Sequence, residues 1–278
     1  MDGGYNSANT SALMRFQPIP FSGSPVVPFS LSALFGWIGG FDADNGIKIV
    51  TALSLVVVGF LIYFFLKKIT NEELPSLAGL VGWCVSFAII TYPMGYLKQT
   101  IALPFMFIAL ISLYFLIETG EKKWWFWLAL GTALTFLSHQ PAVITLTACF
   151  AFILASMLPG SNLRHGRVMG FVLWGVILLG LATSPLTVPI LARYFIQLDA
   201  HGYKTILIYL KGLISYRFQM TVDFAGFDWV LAAIPVFGLG RTIEKHRRLA
   251  LWLLGFGLGV FVVACFASKY EWQGRNIM

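Results

Sequence analysis

The stretch "LTFLSHQPAVITL", residues 134–146, decides the course of the chain. An apolar run is broken there by Ser138, His139, Gln140 and Pro141. Two helices meeting at a turn would send the chain back the way it came. One kinked helix would move every later segment to the opposite side. Proline disfavours a helical conformation at the residue before it, here Gln140, and frees backbone groups that the Ser138 and Gln140 side chains can satisfy. The stretch therefore reads as a helical hairpin with His139 at its turn. An ionisable ring at that depth either caps the helix at a water interface or lines a cavity and meets a polar ligand.

The flanks qualify as membrane helices by composition. Of 278 residues 58% are hydrophobic, 16% aromatic and only 11% charged, with a mean hydropathy of +0.79, which exceeds what a soluble core of this size needs. These values predict an all-α polytopic membrane protein. The net charge of +7 is dispersed over short segments between apolar runs, so lipid orientation explains it and nucleic acid is excluded as a partner. Cys84, Cys149 and Cys265 each sit inside an apolar run without a CxxC or a histidine at ligand spacing, so packing is their role. The opening "MDGGYNSANTSALMRFQPIPFSGSP" is not a signal peptide, having no basic segment before an apolar core. It leads straight into membrane sequence, as a fragment that has lost an upstream span would.

A span needs about 20 apolar residues. Runs that fit lie at 47–66, 74–90, 100–116, 124–138, 141–158, 168–191, 227–240 and 249–267, a bundle of about eight transmembrane helices. The connectors 67–73, 118–123, 159–167 and 241–248 are dense in Lys and Arg and fall on one side, which the positive-inside rule makes cytoplasmic. The outer side then holds residues 1–46, the turn 91–99, the segment 193–226 and the tail. Three regions result: an external loop region with interfacial helices over 1–46, a transmembrane bundle over 47–267 that includes the external 193–226, and an external tail over 268–278. The long external stretches are rich in aromatic residues and read as amphipathic helices and loops on the outer leaflet. All six aspartates (Asp2, Asp42, Asp44, Asp199, Asp223 and Asp228) fall outside, gathered where a site could be built.

An aspartate in the first external loop ("MDGGYNSA"), a proline- and glycine-punctuated approach to the membrane ("FQPIPFSGSPVVPFSLSALFGWIGG", 16–40) and "YPMGYLKQTIALPFMFIALISLYFLIETGEKKWWFWLALGTALTFLSHQPA" (92–142) follow one another. The pattern resembles the multi-spanning C-type (GT-C) glycosyltransferases. That resemblance implies transfer of a sugar from a polyprenyl-phosphate carrier to an acceptor, here unidentified, on the outer face of the plasma membrane. It also implies that Asp2 is the catalytic carboxylate, since an inverting displacement needs a base to take the acceptor proton. Arg275 at the outer end of the last span matches the arginine that holds the donor phosphate, with Lys269 assisting. Lys98 is a further phosphate-binding candidate, and His139, Gln140, Tyr92 and Gln99 are candidates to line the substrate cavity. A divalent metal is compatible with converging external aspartates, although no ligand spacing signals one. Two other readings compete. A lipid-substrate transporter or flippase predicts more polar residues inside the spans than Ser86, Thr100 and Thr132, and a noncatalytic scaffold subunit fits the shortness of the chain.

Overall fold

The computed structural model describes residues 3–17, 26–84, 97–158, 165–183 and 245–259. Among these there are helices and no strands: α1 (Gly3–Met14), α2 (Val26–Gly39), α3 (Ala43–Thr70), α4 (Glu73–Cys84), α5 (Leu97–Thr119), α6 (Lys123–Ser138), α7 (Gln140–Met157), α8 (His165–Ala182) and α9 (247–259). The chain forms two compact units, Met1–Val143 and Ile144–Met278.

α3 shows why the apolar runs end where they do. The Asp42 carboxylate accepts the Asn45 N–H at 2.8 Å, Asp44 stands in the first turn, and Lys67 and Lys68 stand in the last, where each charge complements the helix dipole. Asn71 closes the helix in the left-handed conformation, with φ 55°, and its N–H reaches the Lys67 carbonyl. Asp42, expected among site-building acids, is thus engaged as a helix cap.

α3 and α5 are the two described helices long and apolar enough to cross a membrane. In their most apolar windows 39% of α3 is buried against 78% of α5, so α5 is the inner helix of the first unit. The exposed side of α3 carries Leu53, Val56, Val57, Phe60 and Phe64, an apolar stripe where a water-facing helix would be polar. The helix expected to be amphipathic in the 1–46 region, α2, has no charged residue; it buries Phe29 and Ala33 and exposes Leu34, Trp37 and Ile38. It is apolar on both faces rather than amphipathic.

α5 and α6 form an antiparallel hairpin across Gly120, which takes φ 67°. They approach closely at Gly131, where a Cβ would fall 2.8 Å from the Ala109 N and the Phe105 O. A residue without a side chain lets two apolar helices meet backbone to backbone. Toward the connector, Phe115 stacks on Trp124 with ring centroids 4.7 Å apart. Lys68 from the end of α3 lies 4.7 Å and 5.0 Å from those two ring centres, so the connectors 67–73 and 118–123 share one end of the unit.

The second unit repeats the device. Gly255 and Gly259 of α9 rest on the backbone of α7 at Ile153 and Cys149, and the Ser156 hydroxyl donates to the Leu251 carbonyl at 2.9 Å.

The expected spans 47–66, 100–116, 124–138 and 141–158 lie within or across α3, α5, α6 and α7. α4, α8 and α9 match the described parts of 74–90, 168–191 and 249–267, and α8 begins three residues before its expected start. The span 227–240 and the external segment 193–226 lie outside the described residues.

Candidate functional site

The end of the first unit opposite the lysine-rich connectors carries most of the describable candidates. α5 is 23 residues long, and at 1.5 Å per residue about 26 Å separates Lys98 at its start from Phe115 near its end. The Lys98 ammonium lies 5.7 Å from the centre of the Phe29 ring of α2, a residue only 1% exposed. Phe29 was not among the residues singled out from the sequence. Nothing in an aromatic-rich apolar run marks which ring will lie under a cation.

His139 stands between α6 and α7 in an extended conformation, φ −161° and ψ 99°. Its N–H donates to the Thr135 carbonyl and its own carbonyl accepts the Ala142 N–H, both at 2.9 Å. The interruption therefore falls at His139 and not at Gln140, which is the first residue of α7. Pro141 is accommodated because the first turn of a helix has no internal acceptor for the N–H that proline lacks. So the capping is done by the His139 backbone, and the ring is left for another role. Among the described residues no hydrogen bond reaches the imidazole. Its surface is only half-buried, yet the surrounding protein desolvates it, and that burial, with the Lys98 ammonium adding to it, pushes its pKa down to about 4. Near neutrality it is an uncharged ring that can donate from one nitrogen and accept at the other.

Lys98, Gln99, His139 and Gln140 are all half-buried, neither sealed in the core nor freely exposed. Lys98 and His139 are brought within electrostatic reach of each other; Gln99 and Gln140 are their sequence neighbours. Asp2, Tyr92, Lys269 and Arg275 lie outside the described residues. No group of three or more His, Cys, Asp or Glu among the described residues could hold a metal ion. A separate crevice of about 290 Å³ lies between α1 and α2 against Leu13, Met14, Phe16 and Trp37, and it contains none of the candidates.

No curated protein and no solved structure matches the chain. The family described as dolichyl-phosphate-mannose-protein mannosyltransferase matches residues 22–166, over half of the sequence and the whole of the hairpin that carries Lys98 and His139. The chain belongs to that family of membrane glycosyltransferases.

Proposed function

We infer that the protein transfers a sugar from a polyprenyl-phosphate-linked donor to an acceptor on the outer face of the plasma membrane, which it crosses several times. The observation that carries this reading is the family match over 22–166, in which both membrane-length helices and the Lys98–His139 end fall. The family description makes mannose the first sugar to test.

In the inverting displacement we propose, the Asp2 carboxylate takes the acceptor proton as the new glycosidic bond forms at the anomeric carbon. The bond to the carrier phosphate breaks, and the negative charge that collects on the departing oxygen needs a cation already in place. Arg275, Lys269 and Lys98 serve that purpose. His139, neutral near pH 7, joins Gln140, Gln99 and Tyr92 in hydrogen bonding to sugar or acceptor hydroxyls.

The test is transfer of radiolabelled mannose from polyprenyl-phosphate mannose in proteoliposomes. Label should appear in an acceptor with wild-type protein and fall to background with Asp2→Asn. Transfer that survives Asp2→Asn removes Asp2 from the chemistry, and no transfer from any polyprenyl-phosphate sugar removes the reading itself.

A further inference from the structure

α2 lies over one end of the first unit. α3 and α5 run parallel, since Lys68 in the last turn of α3 stands over Phe115 near the end of α5. Both therefore begin at the same end. α2 meets the start of α5 through Phe29 and Lys98. It meets the first turn of α3 at Gly46, where a Cβ would fall 2.5 Å from the Ser32 carbonyl oxygen and 3.3 Å from the Gly36 nitrogen. A helix of 14 residues, about 21 Å long, thus reaches across that end. It has no charged residue, and its uncovered side carries Leu34, Trp37 and Ile38. In a membrane protein such a surface is covered by acyl chains.

α1 and α2 close with the same hydrogen bonds and different residues. In α2 the Gly40 N–H donates to the Trp37 carbonyl and the Phe41 N–H to the Gly36 carbonyl, with Gly40 at φ 64°. In α1 the Phe16 N–H donates to the Leu13 carbonyl and the Gln17 N–H to the Ala12 carbonyl, with Phe16 at φ 57°. The left-handed position of this motif favours glycine, and a side chain there is strained. Burial does not offset that strain, because Phe16 is 80% exposed, edge-on to Trp37 with ring centroids 5.3 Å apart. Strain kept at a ring that the chain leaves uncovered points to something outside the chain.

Phe16, Leu34 and Trp37 form the rim of the crevice between α1 and α2, and Leu13, Met14 and Ala33 line it further. At about 290 Å³ and apolar apart from Ser30, it suits a length of one acyl chain. Arg15, between two lining residues, is the single charged side chain from 3 to 41. It is exposed, and its guanidinium engages no carboxylate among the described residues. Its planar fork matches phosphate oxygens. We propose that α1 and α2 bind one phospholipid of the surrounding bilayer, with an acyl chain in the crevice against Phe16 and Trp37 and the phosphate on Arg15. This lipid is held and not consumed, and its site does not depend on sugar transfer.

Native mass spectrometry of the purified, delipidated full chain, titrated with phosphatidylglycerol, tests it. One copy should be held more tightly than the rest. Arg15→Gln should weaken that copy roughly 10-fold, the usual worth of a hydrogen bond between charged groups. Diacylglycerol with the same chains, lacking the phosphate, should be held weakly and equally by both forms. Phe16→Gly removes the ring and the strain together, so it should melt at or above the wild-type temperature while losing affinity for the lipid. The proposal is overturned if Arg15→Gln holds phosphatidylglycerol as wild type does, if diacylglycerol is held as firmly, or if Phe16→Gly melts lower and keeps the lipid. Arg15-dependent displacement of phosphatidylglycerol by equimolar farnesyl phosphate would assign the crevice to a prenyl chain and overturn the phospholipid.

Discussion

The two ends of α5 each place a lysine over an aromatic ring, and they differ in how far the protein satisfies its own polar groups. At the connector end Lys68 lies over Phe115 and Trp124, Lys67 pairs with Glu73, and Lys123 pairs with Glu121. Four lysines and four glutamates balance across residues 67–73 and 118–123. That end pairs its charges within itself, while the Trp124 indole N–H there is buried without a hydrogen-bond partner among the described residues. At the other end an ammonium lies over Phe29, an imidazole has no hydrogen bond among the described residues, and a buried hydroxyl has no partner. The half-buried imidazole and the buried hydroxyl beside it keep hydrogen-bonding capacity that a ligand can complete.

The widest break in this comparison would come from Gly131, which holds the two ends in register. Gly131→Val puts side-chain atoms where backbone already stands, and it should cost on the order of 3 kcal/mol and collapse both ends together. Thermal unfolding of the detergent-solubilised protein measures it, and a variant as stable as wild type would mean that α5 and α6 do not meet at that point.

Next in size is the contrast between the lysines themselves. Lys98→Gln should lower kcat/KM about 100-fold, the scale of losing one preorganised group at a developing charge. Lys68→Gln, on the exposed and balanced end, should stay within about 2-fold. Equal losses in the transfer assay would erase the distinction between the ends.

A smaller effect separates them by pH. The His139 imidazole has its folded pKa near 4 against 6.5 in the unfolded chain. Between those values the unfolded state binds the extra proton, so stability is fully present above pH 6.5 and is lost as pH falls toward 4. Melting temperatures taken from pH 7 to pH 4.5 should fall more steeply for wild type than for His139→Gln. Parallel curves would mean that the ring is not desolvated in the folded protein.

The smallest change belongs to the connector end. Glu73→Gln removes the exposed ion pair with Lys67 and replaces the carboxylate that accepts the Tyr63 hydroxyl by a neutral amide oxygen. Such a pair contributes about 0–1 kcal/mol, so unfolding should shift by no more than that and the shift should shrink in high salt.

Much of this architecture was legible in the order of residues. The Asp42 cap, the Lys67–Lys68 finish and the Asn71 and Gly120 stops bound the helices because charge, capping and positive φ act within one turn of the chain. Ser138, His139, Gln140 and Pro141 mark a break in the same local way, although its position moved by one residue. The pairings were not legible. A helix that is apolar all round shows no stripe, so nothing in the sequence says that Gly131 faces Phe105 and Ala109, or that Phe29 lies under Lys98. The tertiary structure alone decided that Ser138 is buried without an acceptor and level with a lysine 40 positions earlier, because such a juxtaposition depends on which faces of two helices pack together, and that packing is a property of the folded pair.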